Sequence, residues 1–209
     1  MRVMIVEDQT MIRSLLESYF RAEEGCRIIA SIPGAKQAVE MCRINSVDLI
    51  LMDVQTENRE NGLTAVRQIK AIQPKSKIIV VTSLIDCAVL DEAKRAGADS
   101  LWYKDHGTEE LMSVVKRTLA GEKVFPDIAP AIEMEGTMSD AFSPRQLDIL
   151  RLYIKGFTYQ EIADKLGISK NGVRWNLDDM VEKGGFESRE SLVATAIENK
   201  LMVTTLKDE

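Results

Sequence analysis

Histidine is almost missing from this chain, with one residue, His106, among 209. A single imidazole excludes any site built from several histidines and any Cys-His nucleophile pair with a spare His. Cysteine is scarce as well. Cys26, Cys42 and Cys87 are odd in number, far apart and set among apolar neighbours, so they read as reduced core thiols, not as a disulfide framework or a zinc knuckle. No apolar run approaches the roughly 20 residues of a membrane span, and the amino terminus M-R-V-M-I-V-E-D has no signal-peptide h-region. The expectation is a cytoplasmic protein with no membrane contact. A basic excess is lacking too. The 27 Lys and Arg stand against 33 Asp and Glu, a net charge of −6, so bulk charge leaves no footprint for nucleic acid.

What is present is a core. Hydrophobic residues make up 45% and charged residues 29%, the balance of a folded globular chain, and the length allows one large domain or two small ones. Residues 1 to about 120 alternate short apolar runs with longer periodic segments. Val3 to Val6, Arg27 to Ala30, Leu49 to Met52, Ile78 to Val81 and Leu101 to Tyr103 are each of strand length. Several are apolar throughout, as expected of a parallel sheet buried on both faces. Met11, Ile12, Leu15, Leu16, Tyr19 and Phe20 recur at helical spacing, as do Leu63, Val66, Ile69 and Ile72, then Leu111, Val114, Val115 and Leu119. The order is β-α repeated five times, which predicts a five-stranded, doubly wound α/β domain of the flavodoxin-like kind, with its ligand site at the carboxyl ends of the strands.

The pattern dissolves after Gly121. Pro126, Pro130 and Gly136 mark a linker over 122–140, whose residues 122–138 alone carry a net charge of −3. From Phe142 only helical periods remain, through Leu147, Ile149, Leu150 and Tyr153, then Ile162, Ala163 and Leu166, then Val173, Leu177 and Met180, then Leu192, Val193, Ala196 and Ile197. The expected division is an α/β domain over 1–121, a linker, and an all-α domain of four short helices over 141–209.

The carboxyl ends of the strands carry chemistry. Glu7 and Asp8 follow the first strand and Asp53 follows the third, so their carboxylates share one edge of the sheet. Hard oxygen donors without His or Cys favour Mg²⁺, which keeps several waters and binds one or two carboxylates plus substrate phosphate. Thr82 closes the fourth strand and Lys104 the fifth, at the same mouth.

These five positions, Glu7, Asp8, Asp53, Thr82 and Lys104, give residues 1–120 a clear resemblance to a bacterial response-regulator receiver domain. The resemblance implies that Asp53 is the phospho-acceptor from a sensor histidine kinase. It also implies that Mg²⁺ is held by Glu7, Asp8, Asp53 and the backbone carbonyl of Gln55, and that Thr82 and Lys104 grip the phosphoryl oxygens. A carboxylate attacks an anionic phosphoryl group only where cations screen the charge. Two departures stand out. Val54 to Gly62 lacks the usual Met-Pro step and is one residue longer, so a longer, more mobile loop is expected; and Leu101, not an aromatic, holds the switch position three residues before Lys104. Aspartate-nucleophile phosphatases generally need a second acid two residues after the nucleophile, where this chain has Gln55.

In the second half, F-S-P-R-Q-L-D-I-L places Ser143 as an N-cap with Pro144 at the first helical position, Thr158 with Glu161 forms a capping box, and Ser169 caps the next helix after Gly167. Helix, tight turn, helix is a helix-turn-helix arrangement. With T-Y-Q-E-I-A-D-K-L-G-I-S-K-N-G-V-R-W-N-L, it resembles the output domain of LuxR/NarL-type regulators. That resemblance implies promoter DNA as partner, a homodimer formed through the segment of Ser191, Leu192, Val193, Ala196 and Ile197, and base or phosphate contacts from Lys170, Asn171, Val173, Arg174, Asn176 and Lys183. Gly172 replaces a usual threonine, Asn176 a usual histidine and Gln146 a usual glutamate. Gly172 costs about 1 kcal/mol of helix propensity, so a looser reading end is expected. Residues 139–209 carry a net charge of −2, with Asp178, Asp179 and Glu182 inside the reader. That acidity motivates the alternative of a signalling module whose C-terminal domain binds a protein. No turnover enzyme is expected in either case.

Overall fold

Runs of buried apolar residues form the sheet of the first half. In the computed structural model, which describes residues 1–84, 87–104, 108–126, 133–134, 137–138 and 141–199, the first part runs β1 Arg2–Val6, α1 Thr10–Ala22, β2 Arg27–Ile32, α2 Ala35–Ile44, β3 Leu49–Asp53, β4 Gln55–Thr56, β5 Glu60–Asn61, α3 Gly62–Ile72, β6 Lys77–Thr82, α4 Cys87–Ala96, β7 Ser100–Tyr103 and α5 Thr108–Leu119. The five main strands pair in parallel in the order β2-β1-β3-β6-β7. Alternate residues serve opposite faces. Val3, Ile5, Leu49, Leu51, Ile79, Val81 and Trp102 pack with Leu16 and Phe20 of α1 and Leu111, Val114 and Val115 of α5. Met4, Ile50, Met52, Ile78 and Val80, pointing the other way, are equally buried. Both faces are covered, as the apolar strands require.

A charged clamp ties α3 to the far edge of the sheet. Asp99, in the turn before β7, accepts Lys70 Nζ of α3 at 2.5 Å, Lys77 Nζ of β6 at 3.2 Å and the Ile78 amide at 2.9 Å. Burial alone would raise the Asp99 carboxyl, but these donors outweigh it and hold it below the usual carboxylate range.

The loop after Asp53, expected to be mobile, is folded. Gln55 pairs with Asn61 and Thr56 with Glu60 in a small antiparallel hairpin, and its turn uses positive φ at Asn58 (59°) and Arg59 (61°). The hairpin caps a neighbour. α2 starts at Gly34, which has no side chain to offer its first amides. Thr56 Oγ1 accepts the Ala35 amide at 3.1 Å and Glu60 Oε2 the Lys36 amide at 2.9 Å, so the extra residues satisfy donors that a local N-cap would otherwise bind.

The segment expected as linker also begins inside the sheet. Val124 bridges to Ser100 in parallel, its carbonyl accepts the Leu101 amide at 2.9 Å, and its own amide donates to Ser100 Oγ at 3.1 Å. Further on, β8 Glu133–Met134 and β9 Thr137–Met138 form a two-residue antiparallel pair that no sequence signal announced. Cys42 is buried in α2 and Cys26 half-buried, both as free thiols, in line with their expected packing role.

The second unit is helical: α6 Pro144–Ile154, α7 Tyr159–Leu166, α8 Lys170–Gly184 and α9 Arg189–Glu198. The first three start at the expected caps, and α9 starts at Ser188, which sequence reasoning did not single out. Ser143 with Gln146 and Thr158 with Glu161 make reciprocal capping boxes, and Ser169 Oγ accepts the Gly172 amide at 2.9 Å. Gly167 and Gly185 close α7 and α8 with φ of 64° and 67°, the left-handed region that glycine enters without strain. The core gathers Phe142, Ile149, Leu150, Ile162, Ala163, Val173, Leu177, Met180, Phe186, Leu192 and Ala196.

Candidate functional site

Strand register brings the acidic residues together. Val6 of β1 lies opposite Met52 of β3, so Glu7 and Asp53 are the next residues on adjacent parallel strands. Asp53 lies opposite Val81, which places Thr82 one step beyond it, and the Lys104 amide donates to the Thr82 carbonyl at 2.9 Å. Glycine is obligatory at the mouth, because a Cβ on Gly62 would stand 1.8 Å from the Asp53 carbonyl oxygen. That absence of side chain lets α3 start against the end of β3. Asn61 then caps α3, accepting the Leu63 amide at 2.9 Å.

One carboxylate oxygen each from Glu7, Asp8 and Asp53 lies within 4.8 Å of the others. Lys104 Nζ reaches between two of them, 2.6 Å from Glu7 Oε2 and 2.8 Å from Asp53 Oδ2. Glu7 is 1% exposed and Asp53 5%, whereas Asp8 is half-buried at the rim. Burial drives the Asp53 carboxyl up to about 7; Lys104 pulls against this, and Glu7 and Asp8 add to it. Burial likewise works against the Lys104 ammonium, but Asp53 and Glu7 prevail and raise it above its usual value. One cation is therefore too little for the carboxylates around it. Hard oxygen donors short of positive charge fit Mg²⁺. Sequence reasoning overlooked Arg13 of α1, whose guanidinium donates to the Glu7 carbonyl at 2.6 Å and fixes the turn on which the acid pair stands. Gln55 lies in β4 opposite Asn61.

Leu101, at the switch position, is buried, and so are Trp102 and Tyr103, which pack as core residues. What distinguishes Leu101 is its backbone, bonded to Val124.

The six residues expected on DNA separate into three groups. Lys170, Asn171 and Arg174 are exposed at the start of α8. Lys183 is exposed but paired with Asp179 at 2.6 Å, and Asn176 turns its amide back to the Gly172 carbonyl at 2.7 Å. Val173 is a correction: it is 0% exposed and part of the core, so it has no methyl to offer a base. Helix phase decides this, since Val173, Leu177, Met180 and Gly184 fall on one buried stripe.

Two of the three acids of α8 are engaged within the domain, while Glu182 is exposed with no ion pair among the described residues. Asp178 accepts Arg189 Nε at 2.8 Å, and the Arg189 guanidinium also donates to Tyr159 Oη at 2.7 Å. Asp179 accepts Gln146 Nε2 at 2.6 Å while Gln146 Oε1 accepts the Ser143 amide at 2.9 Å. Glutamine at 146 is thereby explained: a glutamate could close the capping box but would face Asp179 with a second carboxylate. Asp178 and Asp179, two of the three acids that motivated a protein-binding output, are thus paired inside the domain. Gly172, whose φ is not positive, would bring an added Cβ to 3.2 Å from Ser169 Oγ, so the serine cap must shift by a few tenths of an ångström to admit a methyl group. We expect Gly172→Ala to stabilise the helical unit by about 1 kcal/mol, measured as a raised thermal midpoint.

The geometry meets known proteins at this point. Residues 3–116 match the response regulator receiver domain and residues 140–196 the luxR family of bacterial regulatory proteins. The response regulator protein VraR of Staphylococcus aureus is 28% identical over 208 residues, covering 96% of this chain and 98% of VraR. Among solved structures, RcsB from Salmonella enterica serovar Typhimurium, bound to a promoter in the presence of the phosphomimetic BeF3−, has a TM-score of 0.62 at 19% identity, covering 94% of this chain and 98% of RcsB. A structure of two RcsB dimers bound to two parallel DNAs has a TM-score of 0.63 at 20% identity, over 94% and 98% of the two chains. At those identities the likeness is one of fold. Matched in both halves, the chain belongs to the response regulators, with a receiver domain followed by a LuxR-type DNA-binding domain.

Proposed function

We propose that Asp53 takes a phosphoryl group from a phosphohistidine of a sensor histidine kinase, and that the output domain responds by binding promoter DNA as a homodimer in the cytoplasm. The observation that carries this reading is the buried pair Asp53 and Glu7 at one sheet edge, 2.8 and 2.6 Å from the Lys104 ammonium that they share. An Asp53 carboxylate oxygen attacks phosphorus, the bond from phosphorus to imidazole nitrogen breaks with its electron pair going to nitrogen, and an aspartyl phosphate results. Lys104 neutralises a phosphoryl oxygen, and the Thr82 hydroxyl offers it a hydrogen bond. Glu7, Asp8, Asp53 and the Gln55 carbonyl would hold Mg²⁺, which when bound screens the repulsion between carboxylate and phosphoryl group. Later hydrolysis of the acyl phosphate resets the chain; it is a switch, not a turnover enzyme.

On the output side, Lys170, Asn171 and Arg174 face the DNA, with Lys183 at the phosphates once Asp179 yields it. Leu192 and Ala196 of α9 are buried in the domain's own core, so dimerisation falls to Ser191, Val193 and Ile197. The structure of two RcsB dimers bound to two parallel DNAs is consistent with that arrangement. Incubation with an acyl-phosphate donor and Mg²⁺ should add one phosphoryl group, detected by intact-mass spectrometry, and Asp53→Asn should add none. Labelling that persists in the variant overturns Asp53 as acceptor. Absence of any sequence-selective gel shift, with or without the donor, overturns DNA binding.

A further inference from the structure

The face of α8 that points directly away from the core has an aromatic at its centre. Successive helical residues turn by about 100°, so with Val173, Leu177, Met180 and Gly184 on the buried stripe, Trp175 falls within about 20° of the opposite direction. Its side chain is 64% exposed, whereas the chain's other tryptophan, Trp102, is 6% exposed. An indole left in water forfeits the burial that tryptophan usually gains, and a solvated helix face has no structural use for it. Asn171 precedes it by one helical turn, Arg174 adjoins it in sequence about 100° round the helix, and Lys170 lies at the helix start, towards the edge of the buried stripe. Arg174 and Lys170 have no ion pair among the described residues, whereas Asp178, on the same face, is tied to Arg189. Two unpaired cations therefore stand at the amino-terminal end of α8 beside Trp175, Asp178 and Asp179 are tied to Arg189 and Lys183, and Glu182, two turns on, is the acid of this face without an ion pair among the described residues, so the amino-terminal half is the part that suits a polyanion.

We infer that Trp175 supplies the apolar contact with which α8 reads its operator, packing its ring on a thymine methyl in the major groove; this rests on the DNA-binding reading above. The ring has one donor and no acceptor, so it cannot make the bidentate pairings that specify guanine or adenine. The only apolar group that a base edge presents in the major groove is the C5-methyl of thymine. Val173, buried in the core, leaves that role open.

The test is selection of binding sequences from a library of random duplexes by the full chain, wild type and Trp175→Ala, treated with acyl-phosphate donor. The wild type should enrich a motif with a thymine that the variant no longer enriches, and the variant should bind the wild-type motif about tenfold more weakly. Replacing that thymine by uracil, which removes the methyl and leaves the protein untouched, should weaken the wild type about fivefold and the variant by less than twofold. An unchanged thermal midpoint of the variant separates a lost contact from a lost fold. If both proteins enrich the same motif, or uracil weakens both equally, the role of Trp175 is overturned while DNA binding stands. If the wild type enriches nothing, the DNA-binding reading fails and takes this inference with it.

Discussion

In EDTA, the thermal midpoint of the wild-type chain should fall by about 5 °C between pH 5.5 and pH 8, and that of Asp53→Asn should stay nearly level. The sign follows from proton counting. An unfolded aspartate titrates near 4, whereas Asp53 in the folded chain titrates near 7, so between these values the folded state binds more protons than the unfolded state. Stability is then fully present below the lower value and is lost as pH rises through the upper one. The cause is local: Asp53 is buried beside Glu7 and Asp8, and the pull of Lys104 does not offset that burial. Asparagine keeps the shape and removes the charge, so the variant should be more stable than wild type at pH 8. Adding Mg²⁺ at pH 8 should raise the wild-type midpoint and leave Asp53→Asn much less affected. Differential scanning calorimetry across the pH series decides it; a wild-type curve parallel to that of the variant would falsify the buried-charge account.

Replacing Asp99 by alanine should cost about 3 kcal/mol, among the largest single-residue losses available outside the apolar core. Removal leaves the Lys70 and Lys77 ammonium groups close together without their shared acceptor, and leaves the Ile78 amide unbonded at the start of β6. Breaking one member of a partly buried charge set is costlier than never having built it, because two half-buried ammonium groups are left to repel one another without their acceptor. Urea unfolding measures the loss through a lower midpoint at unchanged slope. Asp99→Asn, which keeps an acceptor for Ile78, should lose clearly less. A midpoint within experimental error of wild type for Asp99→Ala would show that the clamp is solvent-screened and contributes nothing.

The receiver's architecture was legible because its signal is collective: five apolar runs and the periodic segments between them leave few other ways to bury both faces of a sheet. The pocket was legible for the same reason, since residues at the ends of parallel strands meet wherever the order is β2-β1-β3-β6-β7. The hairpin after Asp53 was not. Thr56 and Glu60 fold there because α2, about twenty residues earlier, begins at a glycine with uncapped amides, a need that is visible only once the two segments are neighbours. Val173 had two conflicting readings, as a member of the Val173-Leu177-Met180 period and as a DNA contact by resemblance. Helix phase settles it for the core, and the same phase points outward at Trp175, so that signal lay in the sequence unread. Gln146 is the reverse case: its identity makes sense only beside Asp179, thirty-three residues away.

The bridge from Val124 to Ser100 also bears on the edge of the sheet. β7 is an outermost strand, and an uncovered outer strand presents a ladder of amides and carbonyls to any other extended chain. Val124 occupies the Ser100 and Leu101 positions of that ladder, and Phe125 is held beside it under Lys94 Nζ, 5.5 Å from the ring centroid. The few residues after α5 thus guard the sheet against edge-to-edge polymerisation, and a receiver fragment cut at Gly121 would give up that guard along with the tail it was meant to discard.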